Sequence, residues 1–192
     1  MNNVLICCMG DASNIDFSNV LGGDYNPIIF ADADYFHGDN DLVQKIDYKN
    51  EESLVSSILK VIPVSDVIII SKLNASESES FQAELDELIR KIFVSVKSMY
   101  APLMRQRKGN VWVMEPQIDI QEGANFHAEP MIAGVKTGVK SLTKLAALEL
   151  ARKNVKFNYL CGEAKIDKIK GILEWANKQQ NIYLTAQEIT TL

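Results

Sequence analysis

Short apolar runs alternate along the chain with longer stretches in which apolar residues recur at helical spacing. The runs Val4–Met9, Pro27–Ala31 and Asp66–Ser71 are rich in aliphatic side chains, which is typical of strands buried on both faces. Across Glu51–Ile62 the apolar residues return every three or four positions, which predicts an amphipathic helix. Strands that alternate with helices predict an α/β fold, with helices covering both faces of a mostly parallel sheet.

The same alternation continues to the end of the chain. Further elements are predicted as strands at Val43–Tyr48, Asn110–Met114, Val155–Leu160 and Tyr183–Thr185, and as helices at Phe81–Arg107, Gly134–Lys153 and Lys165–Lys178. The serine- and glutamate-rich stretch Asn74–Ser80 is predicted to be a loop that leads into a helix. We therefore expect one domain that spans residues 1–192.

The composition, with 47% hydrophobic and 23% charged residues, is typical of a soluble globular chain. Apolar runs such as Val67–Ile70 are far shorter than the roughly 20 residues of a membrane-spanning helix, so no membrane association is predicted. The N-terminus lacks the basic region of a secretory signal, and three cysteines cannot form a disulfide framework. Cys7 and Cys8 are interpreted as core thiols on opposite faces of a strand. A cytoplasmic location is expected.

Charge is divided unevenly between the two halves of the chain. Residues 1–100 contain 7 Lys and Arg against 16 Asp and Glu, whereas residues 101–192 contain 13 against 9. The densest basic segment, Arg105–Lys108, has no interleaved aromatic residues and is interpreted as a helix end capped by Gly109. Because a nucleic-acid binder concentrates basic residues on one face, no nucleic-acid partner is predicted.

The two histidines give only weak support for a metal site. His127 has Glu122 and Glu129 near it in the sequence, and His37 stands apart from them. These residues lack the His-x3-His or carboxylate–histidine spacing of known sites, so no metal is predicted.

Several segments, mostly in the second half of the chain, together carry a family resemblance. They are Lys45–Asp47 with Glu51–Leu54, Met104–Met114, Gly134–Ala151, Asn154–Gly162 and Tyr183–Ile189. They resemble, in this order, the third strand and its helix, the passage before the catalytic serine, the active-site helix, the next strand and the closing strand of the short-chain dehydrogenases/reductases. The likeness is strongest between Pro102 and Gly162. It implies a three-layer Rossmann-like fold, shorter than a full family member.

The chain departs from the family at the cofactor loop. The family reads Thr-Gly-x3-Gly-x-Gly, whose glycines let the backbone approach a pyrophosphate. Here Cys7–Ile15 keeps a single glycine, and Asp11 brings a negative charge toward the expected phosphates. Ser71–Leu73 replaces the family's Asn-Ala-Gly. Asp32 and Asp34 stand where Rossmann proteins often place an acidic ribose ligand, but without the glycine loop this signal is weak.

The catalytic pattern is also lost. If Lys136 takes the lysine position of Tyr-x3-Lys, the tyrosine position holds Ile132, which has no proton to donate. The serine position falls near Glu115 and Pro116, and neither side chain can stabilise a developing oxyanion. The resemblance therefore implies a degenerate site with no catalytic residue and no cofactor-binding residue.

The chain retains the segments that the family uses for association. Family members commonly run to about 250 residues, the scale of a large single domain, and this chain has no room after Gly162 for the substrate-binding loop. The two long helices remain, and in this family they pack as a four-helix bundle across a two-fold axis. The expected interface residues are Val96, Met99, Tyr100, Leu103, Val135, Gly138, Val139, Leu142 and Leu145.

Together these features imply a non-catalytic subunit. The family includes heteromers in which one subunit keeps Tyr-x3-Lys and its partner has lost it, such as the 3-hydroxyacyl-CoA dehydrogenase of the benzylsuccinate pathway. This chain resembles such a partner, with NAD(P) expected only on an intact paralogue of the oxidoreductase complex. Two alternatives remain open: an active NAD(P)-dependent oxidoreductase with atypical residues, and a small-ligand sensor or homodimeric scaffold that self-associates through the long helices.

Overall fold

The structure is a computed structural model that describes residues 2–14, 25–37, 43–75, 80–120, 128–163, 165–178 and 184–190. His127, Glu122 and Tyr183, which the sequence analysis considered, lie outside the described residues. Within these ranges the chain forms a single eight-stranded sheet that joins elements from Asn2 to Thr190.

Every strand pairing in this sheet is parallel, which confirms the predicted α/β architecture. The strands are β1 (Asn2–Gly10), β2 (Tyr25–Asp32), β3 (Val43–Ile46), β4 (Asp66–Ala75), β5 (Gly109–Met114), β6 (Gln117–Ile120), β7 (Val155–Cys161) and β8 (Glu188–Thr190). Their order is β3-β2-β1-β4-β5-β7-β8, and β6 pairs with β4 beyond the end of β5. The order reverses at β1, so the crevice between the ends of β1 and β4 is where this fold binds ligands.

Helices lie on both faces of the sheet. They are α1 (Glu51–Val61), α2 (Phe81–Ser98), α3 (Tyr100–Gln106), α4 (Glu129–Leu150) and α5 (Ile166–Lys178). One core cluster contains Cys7 of β1 with buried residues of α1 to α4, and the other contains Cys8 with Ile169 and Leu173 of α5. The neighbouring cysteines thus face opposite layers, as the period of a strand requires. None of the described helices is long and apolar enough to cross a bilayer.

Two details of the first long helix differ from the sequence prediction. The segment Phe81–Arg107 is two helices, α2 and α3, which meet at Met99. Pro102 lies in the first turn of α3, and since proline has no N–H it cannot continue the helical hydrogen bonding across the junction. The cap is Arg107, at φ 56°, and not Gly109, which begins β5.

Two strands also differ from the prediction. The last strand is Glu188–Thr190 and not Tyr183–Thr185, because the backbone turns at Ala186 (φ 59°) before it joins the ladder of β7. Strand β6 was not predicted, although its polar and apolar residues alternate. It follows the interruption at Glu115 and Pro116, and it extends the sheet along the outer end of β4.

Gly10 fixes the path of the chain at the end of β1. Its φ is 61°, and a Cβ atom there would collide with the backbone carbonyl oxygen of Lys72 on β4. Glycine at this position therefore allows β1 and β4 to approach closely at the edge of the sheet where this fold binds ligands.

Candidate functional site

The end of β2 is tied to the turn that follows β1 through one buried carboxylate. Asp32, only 1% exposed, accepts a hydrogen bond at Oδ2 from the N–H of Gly10 (3.0 Å). Its own N–H donates to Ser13 Oγ (2.8 Å), and that hydroxyl donates to the carbonyl oxygen of Cys8 (3.1 Å). The acidic residue that the sequence placed near a ribose thus belongs to an internal network.

A lysine from helix α2 occupies the same place. Lys91 Nζ lies 2.8 Å from Asp32 Oδ2, 3.0 Å from Asp34 Oδ2 and 2.9 Å from Glu87 Oε1. The Lys91 side chain is only 2% exposed, and its ammonium lies 5.0 Å from the centre of the Tyr35 ring. The carboxylates of Asp32 and Asp34 are therefore both paired with a cation of the chain itself.

The network shifts the acid–base equilibria of its members. Desolvation disfavours the charged form of Lys91, but the hydrogen bonds that the ammonium donates to Asp32, Glu87 and Asp34 outweigh it and raise the pKa of the ammonium. Hydrogen bonds from Lys49 and Lys91 lower the pKa of Asp34, and a hydrogen bond from Lys91 lowers that of Glu87. We define these five residues, Asp32, Asp34, Lys49, Glu87 and Lys91, as the lysine network.

At the neighbouring crevice, the chain's own side chains occupy the expected phosphate position. Asp11 Oδ2 accepts a hydrogen bond from the N–H of Asn74 (2.8 Å), which ties the turn after β1 to the end of β4. Lys72, in the segment that replaces Asn-Ala-Gly, pairs with Asp119 on β6 (3.2 Å). A carboxylate rather than glycine N–H groups therefore faces the crevice, which is unfavourable for a dinucleotide pyrophosphate.

The structure brings into contact two of the four residues that the resemblance aligned with the family's catalytic positions. Lys136 Nζ lies 3.3 Å from Glu115 Oε1, and Glu115 Oε2 accepts a hydrogen bond from the N–H of Gly162 (3.1 Å). Pro116 is buried, and Ile132 packs half-buried against the core. At the lysine position the ammonium is thus engaged by the carboxylate at the serine position, and that carboxylate also caps the end of β7.

Tyr159 is a polar residue near this place that sequence reasoning did not select. Its hydroxyl donates a hydrogen bond to the backbone oxygen of Lys136 (3.5 Å), and its side chain is 2% exposed. Burial, reinforced by the charge of Glu115, raises the pKa of the phenol well above its ordinary value. A catalytic tyrosine requires the opposite shift, because it must exchange its proton near neutral pH.

A further polar contact joins the last strand to α4. Cys161 Sγ donates to Glu188 Oε1 (3.2 Å), and Lys140 pairs with the second oxygen of the same carboxylate. Burial and this hydrogen bond raise the pKa of Cys161 to about 11. Because the thiol stays protonated at neutral pH, the contact is structural rather than nucleophilic.

The residues expected at a helical interface divide into two groups. Val96, Met99, Leu103, Val135 and Val139 are between 0% and 6% exposed and lie in the chain's own core, so they offer no surface to a partner. The others are accessible: Gly138 and Leu145 are exposed, and Tyr100 and Leu142 are half-buried. The surface available for association is therefore narrower than the sequence implied.

The outer surface of α4 carries a regular stripe. The exposed residues along it are Gly134, Gly138, Ser141, Leu145 and Leu148, which follow one another at intervals of four and three. Leu145 is 59% exposed and Leu148 is 70% exposed. Beside them on α2, Ile89 and Phe93 are 39% and 49% exposed, one helical turn apart. We call these seven residues the helical face.

A shallow apolar groove crosses the helical face. It measures about 290 Å³ and lies between α2 and α4, with Leu85, Ile89 and Met131 beside the two glycines. A Cβ atom added at Gly134 or Gly138 would meet nothing within 4 Å. These glycines are therefore not required by packing inside the chain, and they leave open space at its surface.

No group of three or more His, Cys, Asp and Glu among the described residues is placed to hold a metal ion. His37 is exposed, as is Glu129 at the start of α4.

Comparison with known proteins gives matches among solved structures only. No protein-family model matches the chain, and no curated relative matches it either. ElxO with NADP bound is 14% identical with a TM-score of 0.70, covering 99% of this chain and 96% of ElxO. BdcA from E. coli is 13% identical with a TM-score of 0.67, covering 98% and 96%. An oxidoreductase of the short-chain dehydrogenase/reductase family from Brucella ovis is 11% identical with a TM-score of 0.63, covering 99% of both chains.

The chain has the short-chain dehydrogenase/reductase fold. Identities this low establish the fold alone. The NADP in ElxO belongs to that protein. In this chain, the lysine network, Asp11 and the Glu115–Lys136 pair lie where the strands of the parallel sheet end.

Proposed function

We propose that the protein is a non-catalytic subunit with the short-chain dehydrogenase/reductase fold. It associates through its helical face with an active, NAD(P)-dependent hydroxyacyl-CoA dehydrogenase or reductase of the same fold. The observation that carries this proposal is the exposed stripe on α4, in which two leucines and three small residues repeat at heptad spacing.

The heptad spacing and the solvent exposure of the stripe on α4 favour packing against a helix of another chain. A stripe that repeats at intervals of four and three keeps one line of side chains facing a neighbouring helix. The inner side of α4 already faces the sheet through Val135, Val139 and Leu150, so the exposed stripe is a second apolar surface. Exposed aliphatic and aromatic side chains grouped in this way are typical of interaction sites.

The contacts at the carboxyl edge of the sheet support a non-catalytic role. Lys91 occupies the acidic position at the end of β2, and Asp11 places a carboxylate at the crevice. Lys136 is paired with Glu115, and its neighbour Tyr159 is buried as a phenol with a raised pKa. An active oxidoreductase would need these positions to accept a cofactor and exchange a proton. A small-ligand sensor would need the same cleft to be open.

Coexpression with an intact reductase encoded beside this chain tests the proposal. We expect the two chains to copurify, and light scattering to give the mass of a mixed assembly. Nucleotide titration of the mixed assembly should give one saturable NAD(P) site for each intact subunit, and none on this chain alone. A chain that stays monomeric beside every intact partner, or that binds NADH saturably by itself, contradicts the proposal.

A homodimeric scaffold is a second candidate, because the stripe is complementary to itself. Its N-terminal half has small residues and its C-terminal half has leucines. An antiparallel copy of α4 centred on Ser141 would place Leu148 opposite Gly134 and Leu145 opposite Gly138, so that large side chains meet open space. Light scattering on the pure chain separates the candidates: a stable dimer without a second protein favours the scaffold.

A further inference from the structure

Two basic segments that are far apart in the sequence meet at the amino edge of the sheet, where the parallel strands begin. Strands β5 and β7 are neighbours, with Asn110 opposite Lys156, so the segments that precede them lie side by side. Arg105–Lys108 and Arg152–Lys156 each contain three basic residues. Residues 101–114 and 150–162 contain no aspartate or glutamate. These two segments are therefore positive on a chain whose net charge is −5. The carboxylate nearest to them at this edge is that of Asp66 at the start of β4, which is buried and accepts hydrogen bonds from Asn110 and Trp112.

A groove lies between these segments and the start of β1. It measures about 470 Å³. Its lining residues are Asn2, Asn3, Pro63, Val64, Ser65, Lys108, Gly109, Asn110, Asn154, Lys156 and Ala176. The lining among the described residues thus combines two lysines with four asparagines and contains no carboxylate and no aromatic ring. Its volume is within the range of about 300–1,000 Å³ that is usual for small-molecule sites.

Helix ends explain only part of this charge. Arg105 lies in the last turn of α3, and Arg152 and Lys153 lie in the short 3-10 turn after α4, where cations stabilise free carbonyl groups. Lys108 follows the residue that caps α3 and directly precedes β5, whereas Lys156 is the second residue of β7. These two lysines both line the groove.

We propose that this groove binds a phosphate-bearing small molecule of about the size of a diphosphate or a nucleotide. Lys108 and Lys156 contact the phosphate oxygens, and the side-chain amides of Asn2 and Asn154 supply further donors. The arginines around the groove raise the local concentration of anions. A concave site without aromatic rings favours a small ligand over a nucleic-acid strand, which would use a longer track with rings for base stacking.

Titration of the full chain with pyrophosphate tests the site. We expect saturable binding by calorimetry, and amide resonance shifts that map to residues 108–110 and 154–156. Lys108→Gln and Lys156→Gln should each weaken binding about tenfold, the usual effect of one charge-assisted hydrogen bond. Lys45→Gln makes the same charge change on β3, at the far side of the sheet, and should leave the affinity unchanged.

Three results would overturn the proposal. They are the absence of saturable binding, equal weakening by all three substitutions, and resonance shifts that map away from the groove. Duplex oligonucleotides and anionic phospholipid vesicles are titrated in parallel, and tighter binding of either would assign this edge to a polyanion or a membrane surface instead. Resonance mapping on the unsubstituted chain keeps the test valid if a variant fails to fold. The site lies at the opposite edge of the sheet from the degenerate catalytic positions, so its failure leaves the proposed function standing.

Discussion

The carboxyl edge of the sheet, where the parallel strands end, differs from the helical face in how its side chains are partnered. At the carboxyl edge, charged side chains are joined to other parts of the same chain: Lys91 to Asp32, Lys136 to Glu115, and Asp11 to a backbone N–H. On the helical face, Leu145 and Leu148 are largely exposed, and a Cβ atom at Gly134 or Gly138 would meet only open space. The charged groups at the ends of the strands are thus paired within the chain, whereas the apolar side chains of the helical face are left exposed.

Breaking the lysine network gives the largest expected effect on stability. Lys91→Met would leave the buried Asp32 carboxylate without its cation, so we expect a loss of about 3–5 kcal/mol in the free energy of unfolding, measured by urea denaturation. Lys49→Met is the matched control. Its ammonium pairs with Asp34 and Glu87 at the surface, so the loss should stay below about 1 kcal/mol. Equal losses would show that the burial of Lys91 is not what stabilises this edge.

Placing a charge on the helical face should abolish association without unfolding the chain. Leu148→Asp changes a residue that is 70% exposed, so the chain should remain folded while association weakens by more than about 30-fold, the effect of losing one strong apolar contact. Light scattering at several concentrations measures this. Trp175→Asp, on α5 at the other face of the sheet, is the control and should leave association unchanged. The comparison fails if Trp175→Asp disrupts the assembly and Leu148→Asp does not.

Removing the charge of Glu115 should have a moderate effect. Glu115 is 22% exposed and Lys136 is 37% exposed, so we expect Glu115→Gln to cost about 1 kcal/mol, because a glutamine can still accept the hydrogen bond from Gly162. A double-mutant cycle with Lys136→Met measures the coupling between the two side chains. NADH titration of the same variants should still show no saturable binding. Restored binding would identify the Glu115–Lys136 pair as the feature that excludes the cofactor.

Acid should weaken the lysine network by the smallest amount. Contacts with Lys49 and Lys91 lower the pKa of Asp34, and Lys91 lowers that of Glu87, from ordinary values of 3.8 and 4.5. Both carboxylates therefore stabilise the folded state above those values, and the contribution is lost as the pH falls through the lowered pKa values. Since both side chains are partly exposed, the loss should be below about 1 kcal/mol. The free energy of unfolding, measured by urea denaturation at several pH values from 6 to 2, should therefore depend less on pH for Asp34→Asn than for the unsubstituted chain.

The sequence was sufficient to predict most of the sheet. Runs such as Val4–Met9 and Asp66–Ser71 are aliphatic throughout, and a strand buried on both faces requires this, so their element type could be read locally. The predicted element boundaries were wrong where one backbone property sets the end of an element. Pro102 separates α2 from α3, and the positive φ of Ala186 delays the start of β8. That the sequence contains neither the Thr-Gly-x3-Gly-x-Gly loop nor a Tyr-x3-Lys pattern could also be read from the residues.

Only part of the role of Lys91 could be predicted from the sequence. It is on the side of α2 that carries Leu88 and Ser95, so a charged residue at an otherwise buried position was a detectable signal. Its contact with Glu87, one turn earlier on α2, could be predicted from spacing, but Asp32 is 59 residues away and meets Lys91 only when α2 packs on the sheet. Tyr159 is similar, since its hydroxyl reaches α4 only in the folded chain.

By itself the sequence determined the element types and the absence of the family's catalytic pattern, because both depend on residues close together along the chain. The tertiary structure decided which side of α4 faces the sheet, which charged groups are paired, and which basic segments meet at the amino edge. Periodicity shows that a helix has apolar stripes, but only packing decides which stripe is buried and which is left for a partner. Pairings of buried charges between distant elements likewise exist only once the sheet and its helices have assembled.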